Sequence, residues 1–335
     1  MHSLSVIDVG HGNCAIISSG EINAVVDAGS SIHLMQYLEE NNITNIDLVV
    51  ISHADKDHIE GLIKLLGNSS ITVKNLVLNP DAGKRTKLWD DIRALVDRGI
   101  YQGKIVWWPA VYADGPNAGW ADLSDRLRFE VISPSAYVSM SAAGGAISRH
   151  GGSISSNAAS IVVKLSFDGR PIALFAADMD ELSLKEITRV GKDMAAPFLI
   201  FPHHGGNPGA GSVEAFTKEI LAAVRPTDVI FSNARGGHGN PKPEIVKAVH
   251  EFDPSIQISC TQLSRVCCSS AAIRPDFKPR VYSAGHDSNG CCAGSIVIDL
   301  ESCSADAEQS SVHAEFVRQL PDALCMSHSI IIARE

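Results

Sequence analysis

The sequence predicts an α/β sandwich with mixed β-sheets inside and helices outside. Three observations predict it. Short apolar, β-branched runs alternate with segments whose apolar residues recur at helical spacing. Hairpin signals stand in both parts of the chain. No repeat, low-complexity tract or obvious linker divides its 335 residues.

Leu4 to Val9 and Cys14 to Ser18 are strand-like, and Gly10-His11-Gly12-Asn13 between them reads as a hairpin turn. Ala24 to Gly29 is a third short strand ending in a turn. Ile32, Met35 and Leu38 set a helical stripe over residues 32–41. Leu48 to Ile51 is a buried strand, and Ile59, Leu62, Ile63 and Leu66 share one face of a helix. Strand, helix and strand come next at Asn75–Leu78, Lys87–Arg98 and Lys104–Trp107. Residues 114–125 and 139–156 are rich in Gly, Ser and Ala and read as loops, the second long enough to be functional. Ser160–Phe167 and Pro171–Phe175 form a hairpin around Asp168-Gly169. Strands at Phe198–Phe201, Asp228–Ser232, Ile256–Cys260 and Ser295–Leu300 enclose helices at Val213–Ala223 and Pro243–Phe252.

Composition narrows the function classes. Hydrophobic residues make up 45% and charged residues 20%, as in ordinary globular proteins. The formal net charge of −10 argues against salt-driven binding along duplex nucleic acid. The N-terminus shows no charged-then-apolar leader, and no apolar run reaches membrane-spanning length, so a cytoplasmic location without a membrane partner is expected.

The chemistry concentrates in His53-Ala54-Asp55-Lys56-Asp57-His58, directly after the apolar run Leu48–Ile51. Two carboxylates beside two imidazoles need a charge or a metal to be tolerated near a core. His53 and Asp55, two apart, are able to face one ion. Asp57 and His58, at a helix start, are able to face a second. This ligand set suits Zn, Mn or Fe. The bland alternative is a solvated charged loop. Two later strands also end in ligands: Asp178 comes after Ile172–Ala177, and His203-His204-Gly205-Gly206 after Phe198–Pro202. Asp178 also reads as a helix-capping residue ahead of Met179–Leu182.

These residues resemble the metallo-β-lactamase superfamily, in particular the branch typified by the nuclease-like domain of the ComEC competence protein. That branch carries His-x-Asp-x-Asp-His in place of the commoner His-x-His-x-Asp-His. Val6 to Asn13 resembles the family's opening strand and Gly-rich turn, and Asp27-Ala28-Gly29 its next turn. Asn157 to Val162 resembles its Asn-x-x-Ser strand entry. Ala177-Asp178 and Pro202 to Gly205 resemble its later ligand motifs, and Gly237 to Glu244 its Gly-His-Pro-x-Pro-Glu segment. The likeness spans roughly residues 4–300.

The resemblance implies an αββα sandwich, the metallo-β-lactamase fold, over residues 1–300, with 301–335 as an extension packed on it. It implies two divalent ions, Zn or Mn. Asp178 would bridge them, Asp57, His58 and one of His203 and His204 would hold one, and His53 and Asp55 the other. A bridging water would be the nucleophile, its pKa lowered by both ions. Asp57, Asp178 and His238 are the catalytic candidates, with His238 equally readable as a loop histidine. Asn157 and Asn240 are the substrate-binding candidates. The chain departs from the family in three places. Asp55 replaces a His, Asn157 stands where a His is usual with His150 as a nearby substitute, and Asn240 stands where the last motif has its His. The ion at His53 and Asp55 is accordingly expected to be the weaker one.

The implied activity is that of a two-metal phosphodiesterase or nuclease, with a nucleic acid or a nucleotide as substrate. Alternatives are a hydrolase of another ester, thioester or lactone, and a catalytically weakened metal-binding subunit; a protein partner or a homo-oligomer fits either. A second constellation lies in residues 259–300: Cys260, Cys267, Cys268, His286, Cys291 and Cys292. It reads as a structural zinc site stapling the segment, or as buried thiols. Lys84, Arg85 and Lys87 form a small basic cluster, read as solvated charge or as a flank of the site.

Overall fold

The computed structural model describes residues 2–115, 119–146, 153–209, 211–236, 238–269, 282–288, 290–320 and 322–326. His150 and the segment 270–281 therefore lie outside the described residues. The first six strands belong to one sheet: β1 (His2–Val6), β2 (Cys14–Ser19), β3 (Ile22–Ala28), β4 (Asn45–Ile51), β5 (Thr72–Leu78) and β6 (Val106–Trp108). The next six form another: β7 (Leu127–Ser133), β8 (Val162–Phe167), β9 (Arg170–Phe175), β10 (Phe198–Ile200), β11 (Asp228–Phe231) and β12 (Gln257–Cys260). The chain then returns to the first sheet with β13 (Ile296–Asp299) and β14 (Ser304–Ala305). The sheet orders are β14-β13-β1-β2-β3-β4-β5-β6 and β12-β11-β10-β9-β8-β7.

Each sheet combines an antiparallel and a parallel half. β1 pairs antiparallel with β2 and β13, whereas β3 to β6 run parallel. β7, β8 and β9 are antiparallel, and β9 to β12 run parallel. Parallel strands need crossovers over the sheet faces. These are α1 (Ser31–Glu40), α2 (Lys56–Ile59), α3 (Leu62–Gly67) and α4 (Lys87–Tyr101) on the first sheet. The second sheet carries α5 (Ala136–Ser141), α6 (Glu181–Val190), α7 (Val213–Val224) and α8 (Pro243–Phe252) in its connections. A short α9 (Ala284–Asp287) and α10 (Ala307–Arg318) complete the order.

Three apolar layers hold these elements together. Leu4, Val26 and Leu48 of the first sheet meet Phe129, Leu165 and Phe198 of the second in the central core. Leu34, Leu65 and Ile92 cover the outer face of the first sheet. Leu184, Ile220 and Val249 cover that of the second, joined by Phe316 and Val317 of α10. The architecture is the αββα sandwich that the sequence predicts. Among the described residues no helix is long and apolar enough to cross a membrane.

The differences from the predicted elements are local. The helix expected from Ile59 is two pieces, α2 and α3, broken where the Gly61 N–H donates to Ala28 O at 2.6 Å. Strand β7 and helix α10 have no counterpart among the predicted elements.

Two glycines let the first sheet close over the cluster after β4. A Cβ on Gly12 would lie 2.5 Å from Asp57 O, and one on Gly29 only 2.3 Å from the same oxygen. No side chain fits there without moving backbone. Gly29→Ala should destabilise the fold by about 2 kcal/mol, read from denaturant unfolding; a change within about 0.5 kcal/mol would contradict this packing.

Candidate metal centre

The parallel halves of both sheets place the carboxyl ends of β3, β4, β9 and β10 at one edge, where open α/β sheets collect ligands. β3 ends beside Asp27, and β4 runs into Ser52, His53 and Asp55, with Asp57 and His58 on α2. β9 runs into Asp178. β10 leads into the 3-10 turn Pro202–Gly205, which carries His203 and His204. The backbone is left-handed at Asp27 (φ 58°), Ala177 (φ 53°), His203 (φ 55°) and His204 (φ 56°). Non-glycine residues hold such conformations only when their surroundings over-determine them, and they cluster at functional sites.

Donor atoms converge in two adjoining groups, each within 4.8 Å: His11, Asp57 and His204, and His53, His58 and Asp178. Asp57 Oδ2 lies 3.2 Å from His204 Nε2 and 3.9 Å from His58 Nε2. Asp178 Oδ1 lies 3.3 Å from His58 Nε2 and 3.8 Å from His204 Nε2. A tetrahedral ion with bonds of about 2.0–2.1 Å separates its ligands by about 3.4 Å, and the observed spacings fall on both sides of that value. His58 Nε2 and Asp178 Oδ1 are buried, and despite their proximity their geometry makes no hydrogen bond; His53 Nε2 is likewise buried without one. Buried polar atoms are rarely left this way. The donor set fits a divalent ion, and two imidazoles with two carboxylates suit Zn, Mn or Fe.

The other side of each imidazole is tied down. His58 Nδ1 lies 2.8 Å from Asp27 Oδ2, and Asp27 also accepts from the Ser52 N–H at 2.8 Å and the Ser52 hydroxyl at 2.9 Å. His204 Nδ1 lies 2.8 Å from the carbonyl of Ser232. With Nδ1 tied down in both, Nε2 faces the centre, the arrangement that orients metal-binding histidines.

A second set of donors is looser. His53 Nε2 lies 3.9 Å from Asp178 Oδ2 and 4.0 Å from Asp55 Oδ1. Asp178 Oδ2 also meets His203 Nδ1 at 2.7 Å, and Asp55 Oδ1 is ion-paired with Lys84 Nζ.

The electrostatics result from this crowding. Burial alone would raise the Asp57 carboxyl, but hydrogen bonds with His11 and His204 and the charge of His58 hold it far below the usual range. Burial opposes ionisation of Asp178 as well, and His58 and His203 overcome it. His58 is also disfavoured as a cation by burial, yet Asp178 and Asp27 raise it well above an ordinary histidine. For His53, burial and then the like charge of His58 prevail and lower it to about 4.

All seven predicted metal ligands, His53, Asp55, Asp57, His58, Asp178, His203 and His204, meet at this edge. The sequence predicts that one of the two adjacent histidines faces it; the left-handed pair instead turns both rings inward. His11, more naturally read as a turn residue, sits 3.3 Å from Asp57 Oδ2. Its ring centroid lies 4.6 Å from that of exposed His238, the two rings tilted by 31°. Asn157 Nδ2 is 3.5 Å from His203 Nδ1, and Asn240 Nδ2 donates to His203 O at 3.4 Å. Both asparagines therefore flank His203.

The second constellation of the sequence is the set of cysteines with His286 in residues 259–300. Among the described residues no three of its donors lie within 4.8 Å of one another, and the cysteines form no disulfide. Cys260, Cys267 and Cys292 instead line a small apolar cavity with Leu263, Val317 and Leu320. Burial raises the Cys260 and Cys267 thiols, which disfavours the thiolate a metal needs. Cys291 Sγ turns to Ser283 Oγ at 3.0 Å, and His286 is exposed on α9. A carboxylate staples this part of the chain: buried Asp8 accepts from Gln262 Nε2 at 2.8 Å, Ser283 Oγ at 2.5 Å and the Gly285 N–H at 2.7 Å. Asp8 also accepts from the Gly10 N–H at 3.1 Å, which ties the His11 turn to the same anchor.

Asp27, Ser52, His11 and Asp8 are not among the site or anchor residues that the sequence predicts. Asp27 and Asp8 each come after an apolar strand run, the signal that exposes Asp178.

The sequence model of the metallo-beta-lactamase superfamily matches residues 7–138. Several solved structures are similar. Igni18, a metallo hydrolase from Ignicoccus hospitalis KIN4/I, shares 16% identity over 77% of this chain and 94% of that one, with a TM-score of 0.44. The metallo-beta-lactamase fold protein YhfI from Bacillus subtilis shares 14%, over 77% and 95%, with a TM-score of 0.46. A diphosphatase of the PhnP family shares 11%, over 77% and 95%, with a TM-score of 0.43. No curated protein matches the chain significantly.

Asp27→Asn keeps the size of the residue that orients His58 but removes its charge. It should weaken Zn binding roughly 10- to 100-fold in competition with a chelator, with the fold retained by circular dichroism. Unchanged affinity would mean that Asp27 does not support the centre.

Proposed function

We propose that this chain, whose residues 7–138 match the sequence model of the metallo-beta-lactamase superfamily, is a metal-dependent hydrolase of phosphodiester bonds. The observation that carries the reading is the convergence of Asp57, His58, Asp178 and His204, with buried donor atoms left unsatisfied in the space between them. A divalent ion bound there supplies charge to polarise ester oxygens and to acidify a water.

The chain's own groups account for the rest. Asp57 and Asp178 place two anionic oxygens where cationic charge is wanted. Asp27 and the Ser232 carbonyl keep His58 and His204 from turning away. The mouth is lined by groups that donate hydrogen bonds: His11, His203, His238 and Lys84. Such a rim suits the anionic oxygens of a phosphodiester better than the neutral carbonyl of a lactone or thioester. In this reading His238, whose ring lies 4.6 Å from that of His11, would give a ring proton to the leaving oxygen.

The overall acidity of the chain opposes long duplex contacts. A short single strand or a nucleotide, met by the rim and the centre alone, is the substrate class that reconciles a −10 surface with an anionic substrate.

Protein loaded with Mn or Zn should hydrolyse bis-p-nitrophenyl phosphate and single-stranded oligonucleotides, and Asp178→Ala should reduce both to background. Turnover of lactones or thioesters with none of phosphodiesters would replace this reading with that of a different esterase. No turnover of any of them by metal-loaded protein would favour a binding subunit.

A further inference from the structure

We infer that Lys84 makes the two ion positions unequal: its ammonium competes with the second divalent ion for Asp55. The inference rests on the metal-centre reading above and concerns how the centre loads. The carboxylates of Asp57 and Asp178, which face His58 and His204, are paired with no lysine or arginine among the described residues. The set of His53, Asp55 and Asp178 is incomplete, and its one carboxylate besides the shared Asp178 is already paired with Lys84 Nζ.

Lys84 is not a loose surface lysine that happens to lie near an acid. Its side chain is 23% exposed and that of Asp55 is 34% exposed. The turn that carries it is built around the buried carboxylate of Asp81. Asp81 Oδ1 accepts from the Gly83 N–H at 2.9 Å and the Lys84 N–H at 3.0 Å. Asp81 Oδ2 accepts from Ser156 Oγ at 2.7 Å, and its carbonyl accepts from Nε1 of buried Trp89 at 3.1 Å. The ammonium is thus held at Asp55 by an anchored turn. A monovalent cation there neutralises the carboxylate that a second ion would need, and an ion must displace it to bind.

The test is calorimetric titration of the metal-free full chain with Zn, and separately with Mn. The native protein should show one tight equivalent and a second, weaker phase. Lys84→Met should tighten the second phase by at least about tenfold and leave the first unchanged. Lys84→Arg, which keeps the charge, should leave the second phase weak. A second phase that is unchanged or weaker in Lys84→Met, or two equally tight equivalents in the native protein, would overturn the competition. Absence of any binding by the folded native protein would instead remove the metal-centre reading on which the inference stands.

Discussion

Asp178 is only 4% exposed, and its two oxygens face imidazoles on both sides: His58 and His204 from Oδ1, His53 and His203 from Oδ2. A carboxylate buried this deeply is strongly destabilising unless it is paired. The rest of the centre is the set of arrangements that make it tolerable. His58 must point its Nε2 inward, so Asp27 holds its Nδ1. The histidines after β10 must both turn back, so the chain adopts left-handed backbone at consecutive residues. Even so, His58 Nε2 and Asp178 Oδ1 remain without a hydrogen bond. The unfilled demand for positive charge at that point is the physical reason for reading a metal centre.

The fold serves this demand by bringing carboxyl ends of parallel strands from two sheets to one edge. Packing at that edge is tight enough to specify glycine, since Asp57 O leaves no room for a side chain at Gly12 or Gly29. The return of the chain through β13 and β14 closes the first sheet on its antiparallel side. Asp8 then clamps both the His11 turn and the residues beyond β12. One anchor thus connects the mouth of the centre to the cysteine-containing region, where the sequence suggests a metal staple.

The sandwich and the ligands are legible in the sequence because both are local signals. Val49, Val50 and Ile51 announce a buried strand, and four ligand-type residues among the six that begin at His53 mark the metal-binding turn at its end. Asp178 and His203-His204 repeat that pattern, an apolar run ending in a ligand. The features that stay hidden depend on meetings between distant segments. Asp27 is separated by 31 residues from the His58 it orients, and Lys84 by 29 from Asp55. The cysteines are ambiguous for the opposite reason. Their clustering in sequence reads equally as a ligand set and as one apolar layer under α10, where Cys260, Cys267 and Cys292 are buried and Cys292 Sγ meets His313 Nε2 at 3.3 Å. Nothing in a single sequence separates those two uses of cysteine.

The most direct measurement is the anomalous difference map of a crystal of the zinc-loaded protein, recorded at the zinc absorption edge. The account predicts its strongest peak among Asp57 Oδ2, His58 Nε2, Asp178 Oδ1 and His204 Nε2. A map with no peak at that position, or with its strongest peak among the cysteines beneath α10, would contradict it.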